Sequence, residues 1–128
     1  MARNRSVDLT AAELPVMEVV WRKGKATVAE VVEALGTTAS PAYNTVLTTM
    51  TILERKGYLR HVPPKVGRAF VYYPKVNRTQ ASRKAVGHLL ARFFGDSAEA
   101  LVLNLVRDER LSNAELERIR ELLKDKPE

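Results

Sequence analysis

In four places along this chain a Ser, Thr or Asp is followed three residues later by Glu and then by an apolar run: Thr10 with Glu13, Thr27 with Glu30, Asp96 with Glu99, and Ser112 with Glu115. At such a spacing the first side chain accepts from an orphan backbone N–H of a nascent helix. The Glu reaches back to the cap residue, so two donors are satisfied together. Apolar residues at helical spacing follow each pair, and the four sites therefore predict four helix N-termini. A chain punctuated in this way is constrained to a mainly α fold.

After Thr10, the residues Leu14, Met17, Val20 and Trp21 fall on one face, and Gly24 supplies a stop, which predicts a helix to about Lys23. After Thr27, Val28, Val31, Val32 and Leu35 form a shorter stripe that ends at Gly36. Residues 37–40 make a turn, and Pro41 suits a first helical position, where its missing N–H costs nothing. A third helix is predicted over about 41–56, with Gly57 as its stop. Its core-facing stripe is Tyr43, Val46, Met50 and Leu53.

Opposite or beside that stripe stand Asn44, Thr45, Thr48, Thr51 and Arg55, with Ser40 at the entry. Thr and Asn are poor helix formers, and a solvated face ordinarily carries Glu and Lys, so a run of short polar groups needs a reason other than helix stability. The DNA major groove supplies one. Asn pairs with adenine, Thr hydroxyls bond bases or phosphates, and Thr methyls meet thymine methyls. The competing reading is a β-prone surface with no ligand.

Residues 58–62 then alternate apolar and polar, residues 63–68 form a loop carrying Lys65 and Arg68, and residues 69–73 form a second strand with Phe70 and Tyr72 on one face. This predicts a β-hairpin with a basic tip. Three helices followed by such a hairpin follow the order of a winged helix-turn-helix, in which the third helix enters the major groove and the wing lies beside it.

Charge follows the same division. From Arg55 to Gly95 there are ten Lys and Arg and no Asp or Glu. Residues 1–78 hold twelve basic and six acidic side chains and residues 79–128 hold nine of each, so the formal charge of +6 resides in the first part. A surface that sits on phosphate avoids carboxylates, and the expected partner is a double-stranded DNA operator.

The remaining segment predicts association. A helix over about 79–94 carries Leu90, Phe93 and Phe94, and the stretch 96–106 carries Leu101, Val102 and Leu105 on a nearly all-apolar surface. A short terminal helix with Leu116, Ile119 and Leu122 cannot cover so much apolar area, and uncovered patches of this kind mark association. A two-fold homodimer is expected, presenting two reading helices to a palindromic site. The predicted organisation is a DNA-binding domain at 1–76 and a helical dimerisation domain at 77–128.

Several segments together resemble the BlaI/MecI family of bacterial repressors. Leu9-Thr10-Ala11-Ala12-Glu13-Leu14 with Val16 to Trp21 is similar to that family's opening helix. Tyr43-Asn44-Thr45-Val46-Leu47-Thr48, Leu53-Glu54-Arg55-Lys56-Gly57-Tyr58 and Phe70-Val71-Tyr72-Tyr73-Pro74 resemble its reading helix and wing. Ala100-Leu101-Val102-Leu103-Asn104-Leu105-Val106 resembles the segment in which members are cut by a membrane-bound sensor protease. The resemblance implies a dimeric repressor with Thr45 and Thr48 at base or phosphate contacts, and a cut between Asn104 and Leu105. Leu47 and Ile52 depart from the pattern, being aliphatic where a relative carries Arg, and Leu105 stands where Phe follows the Asn. The copper-responsive branch has a C-terminal cysteine cluster, and this chain has no Cys.

Enzymatic classes find little support. His61 and His88 have no acidic residue near them in sequence, and there is no phosphate loop, metal-ligand spacing or serine-nucleophile elbow. No cofactor or metal is expected, no segment reaches the length of a membrane span, and a cytoplasmic location is expected. Two alternatives remain. One is a small-molecule-sensing repressor with a pocket lined by Trp21, Phe93 and Phe94, each of which also suits ordinary core. The other is a winged-helix protein-interaction module, which has no need of an acid-free basic run.

Overall fold

A computed structural model describes residues 8–36 and 42–126. The elements run α1 (Leu14–Lys23), α2 (Val28–Leu35), α3 (Tyr43–Arg55), β1 (Leu59–Val62), β2 (Val71–Pro74), α4 (Arg78–Phe93), α5 (Ala98–Arg107) and α6 (Asn113–Lys124). Contacts divide the chain into two compact units, Met1–Ala85 and Val86–Glu128, with the division inside α4.

The first unit is a helix-turn-helix with a wing. Val16, Met17, Val19 and Val20 of α1 pack with Val28 and Val31 of α2 and with Val46, Met50 and Leu53 of α3. Tyr58, Leu59 and Tyr72 of the hairpin region and Ala81 of α4 complete the core. Burial pushes the Tyr58 and Tyr72 phenols above their ordinary range, with nearby carboxylates adding to the effect.

The Thr10–Glu13 box forms, with Glu13 N–H donating to Thr10 Oγ1 at 3.2 Å and Thr10 N–H to Glu13 Oε1 at 3.0 Å. The regular helix nevertheless starts only at Leu14, three residues later than a cap at Thr10 implies. Pro15 has no N–H to bond back to Ala11, so the box winds a turn and the ladder begins after it. The Thr27–Glu30 and Ser112–Glu115 boxes are both complete. The Asp96 expectation is corrected, because Ser97 is the cap and accepts from Ala100 N–H at 3.0 Å. Asp96 itself sits at φ 63°, a turn residue that precedes the cap. A further reciprocal pair, with Asn and Gln in place of Ser or Thr and Glu, starts α4: Asn77 Oδ1 accepts from Gln80 N–H at 2.7 Å, and Gln80 Oε1 accepts from Asn77 N–H at 2.9 Å.

Two bonds close α3. Gly57 N–H donates to Glu54 O at 3.1 Å and Tyr58 N–H donates to Leu53 O at 2.9 Å, with Gly57 at φ 92°. This pairing satisfies the last carbonyls and turns the chain into β1. The strands pair antiparallel with Leu59 opposite Pro74, Arg60 opposite Tyr73, His61 opposite Tyr72 and Val62 opposite Val71. The second strand begins two residues later than expected, leaving Phe70 outside it and half exposed. A single bridge adds a third line to the sheet, since Ala26 and Tyr72 exchange both backbone bonds at 2.8 and 3.0 Å.

Among the described residues of this unit, one ion pair is almost fully buried. Lys56 Nζ donates to Glu13 Oε1 at 2.8 Å and to the Asp8 carbonyl at 2.8 Å, with both charged side chains almost fully buried. Burial alone raises the Glu13 carboxyl. The Lys56 ammonium and the backbone and hydroxyl of Thr10 outweigh it and hold the group below its ordinary value.

The second unit differs in kind. Among the described residues, nothing in α5 or α6 is buried, and α4 buries only Ala81, which belongs to the first unit.

Candidate nucleic-acid interface

On α3 the buried side chains Val46, Met50 and Leu53 fix the orientation of the helix. Asn44, Thr48, Thr51 and Arg55, at i, i+4, i+7 and i+11, then lie together on the opposite, exposed face. Thr45 is exposed on one flank. Ser40 and Pro41 lie outside the described residues. The core stripe needs one correction. Tyr43 is 50% exposed, at the edge of the stripe through Val46, Met50 and Leu53, on the flank of the helix that lines a groove toward the wing.

The hydroxyls are not equivalent. Thr51 Oγ1 donates to Leu47 O at 2.9 Å, and Thr49 Oγ1 donates to Thr45 O at 3.0 Å. Thr51 therefore spends its donor within the helix and offers its surroundings a methyl and an acceptor. Among the described residues Thr48 makes no such bond, and its hydroxyl is available as donor and acceptor.

At the wing tip Lys65 and Arg68 are exposed, with Gly67 at φ 86° making the reversal. The acid-free run divides into several jobs. Lys56 is committed to Glu13. Arg78 lies 5.0 Å over the Trp21 ring and 3.4 Å from Glu18, and Lys84 stands 5.7 Å from the Tyr58 ring. On the outer side of the hairpin, Arg60 lies 4.7 Å above the Tyr73 ring, with Lys25 6.0 Å from it. Arg55, Lys65 and Arg68 are the members left free of such partners on the helix and wing tip.

The fold also pairs a histidine with a carboxylate that sequence distance had kept apart. His61 Nδ1 lies 2.7 and 2.8 Å from the two Glu54 oxygens, and His61 N–H donates to Glu54 Oε2 at 3.3 Å. The imidazole meets Phe70 edge-on at 5.1 Å and Tyr72 at 5.5 Å. Glu54 is the one acid of α3, and this pairing engages it with β1.

Between α3 and the wing runs a groove of about 360 Å³, lined among others by Tyr43, Leu47, His61, Arg68, Phe70 and Tyr72. Separately, Trp21 lines a groove of about 270 Å³ with Leu9, Leu14, Arg78, Ala81 and Ala85. Its indole N–H donates to Val76 O at 2.8 Å. Phe93 and Phe94 are not among its lining residues, and Phe93 is 69% exposed rather than core.

Every residue expected to associate lies in the second unit. Leu90, Phe94, Leu101, Leu105 and Leu116 are half-buried, and Phe93, Val102, Ile119 and Leu122 are exposed. Asn104 is exposed and Leu105 half-buried, within the three turns of α5. Among the described residues, no helix is long and apolar enough to cross a membrane.

A family model described as penicillinase repressor matches residues 9–125. The penicillinase repressor of Bacillus licheniformis is 30% identical over 117 residues, covering 91% of this chain and 90% of that protein. The methicillin resistance regulatory protein MecI of Staphylococcus aureus (strain N315) is 28% identical over 123 residues, covering 96% and 98%. Among solved structures, the DNA-binding domain of the repressor BlaI aligns with a TM-score of 0.50 at 32% identity, over 61% of this chain and 93% of that one.

Proposed function

The chain belongs to the penicillinase repressor family, and from that premise we propose how a DNA-binding transcriptional repressor of this sequence works. The observation that carries the reading is the exposed ridge Asn44, Thr48, Thr51 and Arg55, set opposite a buried stripe and beside a wing tip that carries Lys65 and Arg68 without an acid. In this reading α3 enters the major groove, Asn44 and Thr48 bond base edges or phosphate, and Arg55, Lys65 and Arg68 neutralise backbone charge. Thr45 contacts the flanking strand.

The operator is palindromic and the repressor is a homodimer joined through residues 86–126. Support comes from the burial pattern: a unit that buries none of its own described side chains while exposing Phe93, Val102, Ile119 and Leu122 has no interior until a second copy supplies one. Relief by a membrane-bound sensor protease, cutting between Asn104 and Leu105, fits the same scheme. The cut falls in α5, leaves α3 and the wing whole, and removes the link between the two half-site readers, so binding is lost through lost bivalency. Because the bond lies within a helix, α5 must unwind locally before a protease can reach its backbone.

The test is binding of the full chain to the DNA upstream of its own gene at several salt concentrations. Saturable, sequence-specific binding is expected. Thr48→Ala should relax the specificity, and Lys65→Ala should lower the salt slope by about one phosphate's worth. Binding indifferent to sequence and to both substitutions would instead support the protein-interaction module.

A further inference from the structure

Resting on the operator-reading function, we infer that the wing-side flank of α3, formed by Tyr43 and Leu47 with Phe70 facing them, recognises the 5-methyl group of an operator thymine. The groove between α3 and the wing is continuous with the exposed ridge, since Leu47 adjoins Thr48 in sequence and lies one helical turn from Thr51. Apart from His61 and Arg68 its lining is aliphatic and aromatic where most of the ridge is polar: Leu47 is half-buried, and Tyr43 and Phe70 are 50% and 49% exposed. Thr51 extends the same character, because its hydroxyl donor is held by the Leu47 carbonyl and what it offers its surroundings is a methyl and an acceptor.

Charge at the mouth suits a DNA strand. Arg68 lines the groove, and the nearby Glu54 carboxylate is engaged by His61, another of its lining residues. A duplex seated on the ridge thus brings a base edge to an aliphatic and aromatic surface flanked by a cation for the phosphate. On the major-groove edge the thymine methyl is the apolar feature that separates it from the other bases, so apolar contact selects thymine.

The experiment first enriches bound sites from random duplexes with the full-length wild-type protein, then replaces each thymine of the enriched site by uracil, which deletes only the methyl. Replacement at one position in a single half-site is expected to weaken binding about fourfold, the effect of one buried methyl, and Leu47→Ala should remove the difference between thymine and uracil there. Uracil bound as well as thymine at every position overturns the inference, and because that result is read on the wild-type protein it does not depend on a variant folding. If the groove serves the sugar-phosphate backbone instead, Leu47→Ala weakens all sequences equally and uracil remains equivalent, which also overturns it. Failure to enrich any sequence overturns the operator-reading function itself, a separate result from enrichment without methyl dependence.

Discussion

Replacing Lys56 by Met is expected to destabilise the first unit severely, and the size follows from what the ammonium holds. Lys56 Nζ makes two bonds of 2.8 Å, one to the Glu13 carboxylate and one to the Asp8 carbonyl, at a site almost closed to water. Charge-assisted bonds contribute about 1.5–3 kcal/mol each, so two give about 3–6 kcal/mol. Removing one member of a buried pair independently suggests about 3–5 kcal/mol, because the other charge is stranded. Replacing both, as Glu13→Leu with Lys56→Met, should recover most of that loss, since well-packed apolar substitutes are often neutral or stabilising. Urea unfolding followed by the fluorescence of Trp21, the single tryptophan, measures all four corners of the cycle at one fixed protein concentration. The pH dependence adds a sign. Glu13 is held below its ordinary value in the folded chain, so its contribution is fully present above the unfolded carboxylate range and is lost as pH falls through the depressed folded value. A cost below about 1 kcal/mol for Lys56→Met, typical of an exposed pair, would refute the reasoning.

Other substitutions probe separate parts of the fold. Gly57→Ala should cost about 1–2 kcal/mol, because φ 92° strains an L side chain while the space around an added Cβ is open; thermal unfolding checks it, with Gly57→Asn costing less. Phe93→Glu should give a monomer by sedimentation velocity, with binding to a single half-site kept and the cooperative gain on the palindrome lost. Glu54→Gln should change stability by less than about 1 kcal/mol, because its bond to His61 is solvent-exposed; urea unfolding beside the wild type measures this.

What could be read in the sequence was the part with a local cause. Thr27 with Glu30, Ser112 with Glu115, Gly24 and Gly57 act within a turn of themselves, and the stripe Val46, Met50 and Leu53 states its own period. The misreadings arose where a local signal met a second constraint. Asp96 had the right spacing from Glu99, but backbone geometry made it a turn residue and passed the cap to Ser97. Tyr43 continued the apolar period of α3 and still fell at its edge, where a wing groove rather than the core receives it. Pairs assembled by the fold left no trace in sequence: Glu13 with Lys56, 43 residues apart, and Ala26 with Tyr72. Glu54 with His61 is separated by only seven residues, yet the intervening turn at Gly57 decides that they meet. Within the candidate interface, exposure of Asn44, Thr48, Thr51 and Arg55 followed from helical periodicity. That Thr51 uses its hydroxyl internally did not, because a rotamer choice has no compositional signature.

The bridge between Ala26 and Tyr72 bears on the entropy of association. It fixes the second wing strand to the residue immediately before the Thr27 cap of α2, so hairpin base and helix-turn-helix are clasped by backbone bonds independent of any side chain. A wing attached only at its two chain ends would have to be immobilised each time DNA is bound, at a cost in free energy for every segment ordered. Here that ordering belongs to folding rather than to binding. The segment still to be settled on the duplex is the short tip between Val62 and Val71, where Pro63 and Pro64 already restrict the backbone. Loosening the clasp should therefore weaken the complex even though Ala26 and Tyr72 are both buried.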